Sequence, residues 1–272
     1  MSFYKSAKMM LPDKLKQQIF KKWTSAPLAK RIFWDAINRP YYAYGTFYAA
    51  LQAQALGINK ISVIEFGVAG GNGLLALEKI TGLVSQDTGI EIDIYGFDTG
   101  TGMPAAVDYR DMPYVWKPGF FKMDVEALMK RLKSAKLILG DVSDTVTQFA
   151  NEYNPSPIGF IAFDLDYYSS TVQAFRLLDS EERYFLPRVF CYFDDCIGDD
   201  WELHSQFTGE LLAIEDFNRA HNDKKISKIH GLSYKRPIPA NWNEKMFVLH
   251  NFTHPLYCQH IYPNKNWQLE LD

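Results

Sequence analysis

Cysteine is scarce in this chain: three in 272 residues, Cys191, Cys196 and Cys258. They make no even framework, which argues against a disulfide scaffold and for reduced thiols in a cytoplasmic protein. The same scarcity leaves a zinc site short of ligands. No apolar run approaches the ~18 residues of a membrane span, and the N-terminus lacks the compact apolar stretch of a secretory signal. Internal repeats, low-complexity tracts and obvious linkers are absent as well. Net charge is only −3, which speaks against generic nucleic-acid binding.

The modest net charge hides an uneven distribution. Residues 1–40 hold nine Lys or Arg and two Asp, a balance of +7, so the remainder carries −10. Leu11, Leu15, Ile19 and Trp23 fall on one helical face, with Lys14, Lys21 and Lys22 elsewhere on the wheel. A helix packed on the main body, a lid, or a homodimer contact through this basic helix all fit that pattern. The division expected is an N-terminal helical extension over residues 1–57 and one elaborated domain over 58–272, because a chain 47% hydrophobic can bury a full core.

Within that domain, strand-like runs alternate with helical ones. Strands are expected at Ile61–Phe66, Glu91–Phe97, Ala135–Leu139, Ile158–Phe163 and Val189–Phe193. Helices are expected at Leu74–Val84, Val125–Leu132, Ser170–Leu178 and Gly209–Arg219. Two further runs, Ile226–Tyr234 and Lys245–Asn251, are consistent with an antiparallel hairpin. The order predicts an α/β fold with a doubly wound, mostly parallel sheet covered on both faces. All five parallel strands end in a polar or glycine-rich turn carrying a carboxylate, and ligands of open α/β sheets bind outside the carboxyl ends of strands.

The most informative stretch is ISVIEFGVAGGNG, residues 61–73. A strand runs into glycines at 67, 70, 71 and 73, then into a helix whose N-terminal N–H groups face an anionic ligand. The dinucleotide fingerprint G-x-G-x-x-G is not met: Ala69 stands in place of its second glycine, and Glu65 sits two residues before Gly67. Glu65-Phe-Gly67-Val-Ala69-Gly70-Gly71 instead resembles motif I of the class I S-adenosylmethionine-dependent methyltransferases. That resemblance implies a Rossmann-like sheet of seven strands in the order 3-2-1-4-5-7-6. It also implies a cofactor site formed by Glu65, Gly67, Ala69 and Gly71.

Asp98-Thr-Gly-Thr-Gly-Met-Pro104 is similar to the D-S-F-x-G-L-P loop of the macrocin and mycinamicin type sugar O-methyltransferases. Phe163-Asp-Leu-Asp-Tyr-Tyr-Ser-Ser-Thr171 resembles that branch's L-D-G-D-L-Y-E-S-T, and Phe193-Asp-Asp195 its V-D-D. Leu165 and Ser169 depart from the branch's glycine and glutamate. The resemblance implies ribose binding by Asp98 with Thr99 beside it, adenine contact by Asp141, and Asp164 and Tyr44 among the cofactor residues. It further implies Mg²⁺ or a similar divalent ion on Asp166, Asp194 and Asp195, whose hard oxygen donors suit such an ion. The activity implied is metal-assisted O-methylation of a hydroxyl on a sugar or other small acceptor. Proton removal is left open among Asp166, Asp194, Asp195 and a histidine, with His204 nearest in sequence to the acidic pair. A cephalosporin-hydroxylase-like relative, a nicotinamide-dependent oxidoreductase and a non-catalytic cofactor-binding protein are the rival readings.

Aromatics reach 15% and cluster at Tyr41-Tyr42-Ala-Tyr44 and at Tyr114–Phe121. Core filling is one explanation; a lid and acceptor wall, chiefly Tyr44 and Trp116, is the other.

Overall fold

The computed structural model describes residues 11–264 and residue 268. Lys5 and Lys8 of the basic segment lie outside them. Strands β1 (Lys60–Phe66), β2 (Glu91–Asp98), β3 (Lys136–Leu139), β4 (Ile158–Phe163), β5 (Phe185–Phe193), β6 (Lys224–Lys228) and β7 (Met246–Asn251) form one sheet. Its order is β3-β2-β1-β4-β5-β7-β6. The first five strands run parallel, and β7 is antiparallel to both β5 and β6. The expected order and hairpin are therefore present. Residues 232–235, expected as strand, form a short helix after Gly231 adopts φ +72°.

β1 and β4 lie at the centre and are buried almost throughout because both of their faces are covered. Side chains alternate along β1 with period two. Ile61 and Val63 point into one core layer, Ile64 and Phe66 into the other. The first layer is roofed by α3 (Pro40–Ala55) and α4 (Asn72–Thr88). The second is roofed by α6 (Val142–Tyr153), α7 (Tyr168–Phe175) and α8 (Gly209–Ala220), with α5 (Val125–Met129) between β2 and β3 and α9 (Leu232–Lys235) before β7.

Helix α3 begins with Pro40 in its first turn, where a missing N–H costs nothing. Its residues Tyr42, Ala43, Phe47, Ala49, Ala50 and Ala53 are buried against α4, β4 and β5. Residues 40–55 thus pack on the central sheet. Among the described helices, α1 (Asp13–Lys22) buries no residue, whereas α2 (Leu28–Phe33) adds Leu28 and Ile32 to the first layer. On α1 the expected apolar face does not become a buried one: Leu15, Ile19 and Trp23 are exposed, while Phe20 stacks on Trp34 and Trp23.

Candidate active site

A cavity of about 710 Å³ opens along the carboxyl ends of the parallel strands, lined by the turns after β1, β2, β3, β4 and β5. Close crossing of these turns forces the glycine after β1. Gly67 sits at φ +81°, and a Cβ there would lie 1.7 Å from the Asp164 carbonyl oxygen. Asp98 binds this turn to its own loop: one carboxylate oxygen accepts from the Val68 and Ala69 amides at 3.0 and 2.8 Å, the other from Gly100 at 2.6 Å.

Of the residues expected to hold a cofactor, Gly67, Ala69, Asp98, Thr99, Asp141 and Asp164 line the cavity. Asp141 also caps α6, accepting from the Ser143 amide at 2.8 Å, and Thr99 donates to the Gly102 carbonyl at 3.0 Å. Three expected residues are placed elsewhere. Glu65 has the same parity as Val63, so the pleat turns it beneath the loop toward α3, where the Tyr42 hydroxyl donates to it at 2.6 Å. Burial pushes its carboxyl up to about 7 against the pull of that hydrogen bond and of Arg39. Its second oxygen has no partner, and a Cβ on Gly73 would meet the first at 1.7 Å. Gly71 caps α4 at φ +81° with Leu128 beside it and does not reach the cavity. Tyr44, half-buried, is packed among Tyr48, Phe190 and Trp242 and does not line the cavity.

The acidic residues after β4 and β5 converge, with one exchange of partner. Oxygen atoms of Asp164, Asp194 and Asp195 lie within 4.8 Å of one another. Asp166, expected in that trio, stands outside it. Its backbone is left-handed at φ +59°, and its N–H donates to Asp195 at 2.8 Å. The turn therefore delivers Asp164 to the cluster and leaves Asp166 beside it, its carboxyl against that of Asp195. A chain with leucine at 165 takes up its left-handed residue at an aspartate, which tolerates that region better than a branched side chain. Burial and then mutual repulsion raise Asp164 well above the carboxylate range and carry Asp166 to about 9 and Asp195 to about 7.

Several supports of this cluster carry no sequence motif. The Lys245 ammonium donates to the Asp194 carbonyl and, at 3.2 Å, to its carboxylate. Tyr192 donates to the same carboxylate. Glu210, fully buried in the first turn of α8, accepts the Asp195 N–H at 2.9 Å. Asp111 accepts from the amide and hydroxyl of Ser169, both at 2.8 Å, and from Val107. It thereby fastens the loop after β2 onto α7 and supplies a carboxylate where Ser169 replaced one. Only the run of acids between 164 and 195 could have pointed to Lys245, since so many buried carboxyls call for a cation. His204 does not line the cavity; burial lowers its pKa, and its Nε2 lies 3.5 Å from Glu202.

No family model matches the sequence, and no curated protein matches it. Solved structures do. A calicheamicin methyltransferase, CalS11, aligns with a TM-score of 0.53 and 20% identity over 88% of this chain and 91% of that one. The O-methyltransferase NovP aligns at 0.51 and 10% identity over 88% of this chain and 99% of its own. This is the Rossmann-like methyltransferase fold. Its sheet order, β3-β2-β1-β4-β5-β7-β6 with β7 reversed, is met strand for strand.

Proposed function

We propose that this chain is an S-adenosylmethionine-dependent O-methyltransferase acting on a hydroxyl of a small acceptor, with sugar hydroxyls first, assisted by a divalent cation. The observation that carries the reading is the trio Asp164, Asp194 and Asp195 on the wall of the cavity that Gly67 and Asp98 also line. The fold supports the donor, and the two similar structures, both methyltransferases, point the same way.

The donor set fits a hard ion. Three carboxylates this close are neutralised best by a cation, and all three offer oxygen; burial and neighbouring charge already raise Asp164 and Asp195. Asp164, Asp194 and Asp195 would hold Mg²⁺ or a similar ion, and Gly67, Ala69, Asp98, Thr99 and Asp141 the donor. When bound, the sulfonium supplies the methyl group and the ion supplies Lewis-acid polarisation of the hydroxyl. The chain's own part is orientation and proton handling. Lys245 and Tyr192 fix the Asp194 carboxylate, Glu210 fixes the Asp195 backbone, and the loop held by Asp111 walls off water. Asp166, which lines the cavity with its carboxyl against that of Asp195, would take the hydroxyl proton once a bound cation has displaced the one that burial and its neighbours hold on it. His204, outside the cavity wall, takes no part.

The test is release of S-adenosylhomocysteine from S-adenosylmethionine in the presence of glycosides and catechols, with Mg²⁺ and with a chelator. Acceptor-dependent release that the chelator abolishes supports the reading. Acceptor-dependent release indifferent to the chelator removes the ion from it. NAD reduction in place of methyl transfer removes the whole.

A further inference from the structure

A second cleft, of about 510 Å³, opens where α1 meets the segment between α2 and α3 and the chain before β7. It shares no lining residue with the acid-lined cavity, and its charge has the opposite sign. Lys21 and Arg39 line it, and neither has a carboxylate within ion-pairing distance among the described residues. Asp35, the one acid on its wall, is committed to Arg236 at 2.6 Å and to the Trp242 indole at 3.1 Å. That pair is closed on itself, so the wall keeps two uncompensated positive charges. They stand in a chain whose residues beyond 40 sum to −10.

Arg39 is held in place and still has donors to give. Its Nη1 donates to the Tyr41 hydroxyl at 3.0 Å, and the guanidinium lies over the Tyr42 ring, 5.2 Å from the centroid. Its other N–H groups bond to nothing among the described residues and are open to solvent. Glu65 and Asp164 act on it from the inner side, but both hold their protons above the ordinary carboxylate range and offset it only in part.

The backbone of the same wall adds donors. The amides of Ile37, Asn38 and Arg39 have no partner among the described residues, and neither does the Asn38 side chain. Successive N–H groups without an internal acceptor suit an anion. Asp35 and Arg39 both take left-handed backbone, at φ +48° and +50°. Residues with a side chain adopt that region at a cost, and such strain gathers at ligand clamps. Pro40, Ile238 and Ala240 give the cleft an apolar side.

We propose that this cleft binds a phosphate monoester, with the dianionic group between Lys21 and Arg39 and the organic body along Pro40, Ile238 and Ala240. A dianion matches the two uncompensated charges, whereas a carboxylate neutralises only one. The planar guanidinium fork suits phosphate oxygens, and the Lys21 ammonium serves as a point charge. The site stands apart from the methyltransferase reading, since it needs neither donor nor cation in the acid-lined cavity.

Calorimetry at about pH 7.5 and about 0.15 M salt, on the chain freed of metal over a chelating resin, tests it with phenyl phosphate, inorganic phosphate and benzoate. Phenyl phosphate is expected to bind at one site per chain, about fivefold or more tighter than either of the others. Lys21→Glu is expected to weaken it about tenfold or more. Lys22→Glu changes the net charge equally on the same helix but does not line the cleft, and is expected to weaken it less than about threefold. Both lysines are exposed, so both variants are expected to melt with the unaltered chain. Absence of saturable binding, inorganic phosphate or benzoate binding as tightly as phenyl phosphate, or equal losses in the two variants overturns the proposal. Failure of S-adenosylhomocysteine to bind removes the methyltransferase reading and leaves this site standing.

Discussion

Asp164 and Asp166 are two residues apart; with a left-handed backbone at Asp166, it is Asp164 whose oxygen completes the close trio with Asp194 and Asp195, while Asp166 lies against Asp195. Sequence pattern alone put Asp166 in the cluster, because φ at position 166 has no signature in a run of D-L-D. On the proposed function Asp164 is the ligand and Asp166 the proton acceptor, and that exchange is measurable. Asp164→Asn is expected to lower Mn²⁺ affinity by about a factor of ten or more, since it removes one of three charged ligands. Asp166→Asn is expected to leave Mn²⁺ affinity within about threefold and to lower methyl transfer by about 10²-fold, the usual cost of losing a proton acceptor. Titration followed by the Mn²⁺ spin-resonance signal, alongside turnover, checks both. Glu65 teaches the same lesson. Its motif was legible, but parity along β1 sends its side chain to Tyr42 and not into the cavity.

At the scale of elements, what could be read was what hydrophobic burial dictates. β4 matches its expected bounds because both of its neighbours in the sheet are strands and every residue is buried. α6 was not legible: Val-Ser-Asp-Thr-Val-Thr-Gln is polar and β-branched, and only Val146 and Phe149 are buried. Its cap, Asp141, served double duty as cavity wall and helix start. The aromatic loop after β2 left core filling and a lid both open in the sequence; Asp111 pins it onto α7. Asp111→Ala strips three hydrogen bonds from groups that would remain buried or half-buried. We expect a loss of about 2 kcal/mol and faster cleavage within residues 103–123 under limited proteolysis, while Asn at this position, which keeps two acceptor directions, shows less of both.

For the whole molecule, acids raised by burial and by one another make stability fall as pH rises. The unfolded chain gives up these protons near ordinary carboxylate pKa values and the folded one only near 7 to 9 for Asp195 and Asp166. Between those limits the folded state holds more protons, so each step up in pH destabilises it. Without divalent ions the melting temperature is therefore expected to drop from pH 5 to pH 8.5. Added Mg²⁺ is expected to raise it more at pH 8.5 than at pH 5, where protons compete for the same oxygens. Melting curves with Mg²⁺ and with a chelator across that range read both signs. Long-range connection is the part least visible in sequence. Asp35 pairs with Arg236 at 2.6 Å and accepts from Trp242 at 3.1 Å, tying the N-terminal helices to the last third of the chain. All three are buried. Asp35→Ala leaves a buried guanidinium uncompensated and is expected to cost about 3 kcal/mol, read as a lower midpoint in urea unfolding.

The central claim is that the turns after β1 and β2 grip a sulfonium donor beside an acid-held cation. Calorimetric titration of the chain with S-adenosylhomocysteine in Mg²⁺, repeated with NAD and with Asp98→Ala, tests it most directly. Saturable binding at one site per chain, weakened about tenfold or more by Asp98→Ala and absent for NAD, is the predicted result. Saturable NAD binding with no heat from S-adenosylhomocysteine would contradict it.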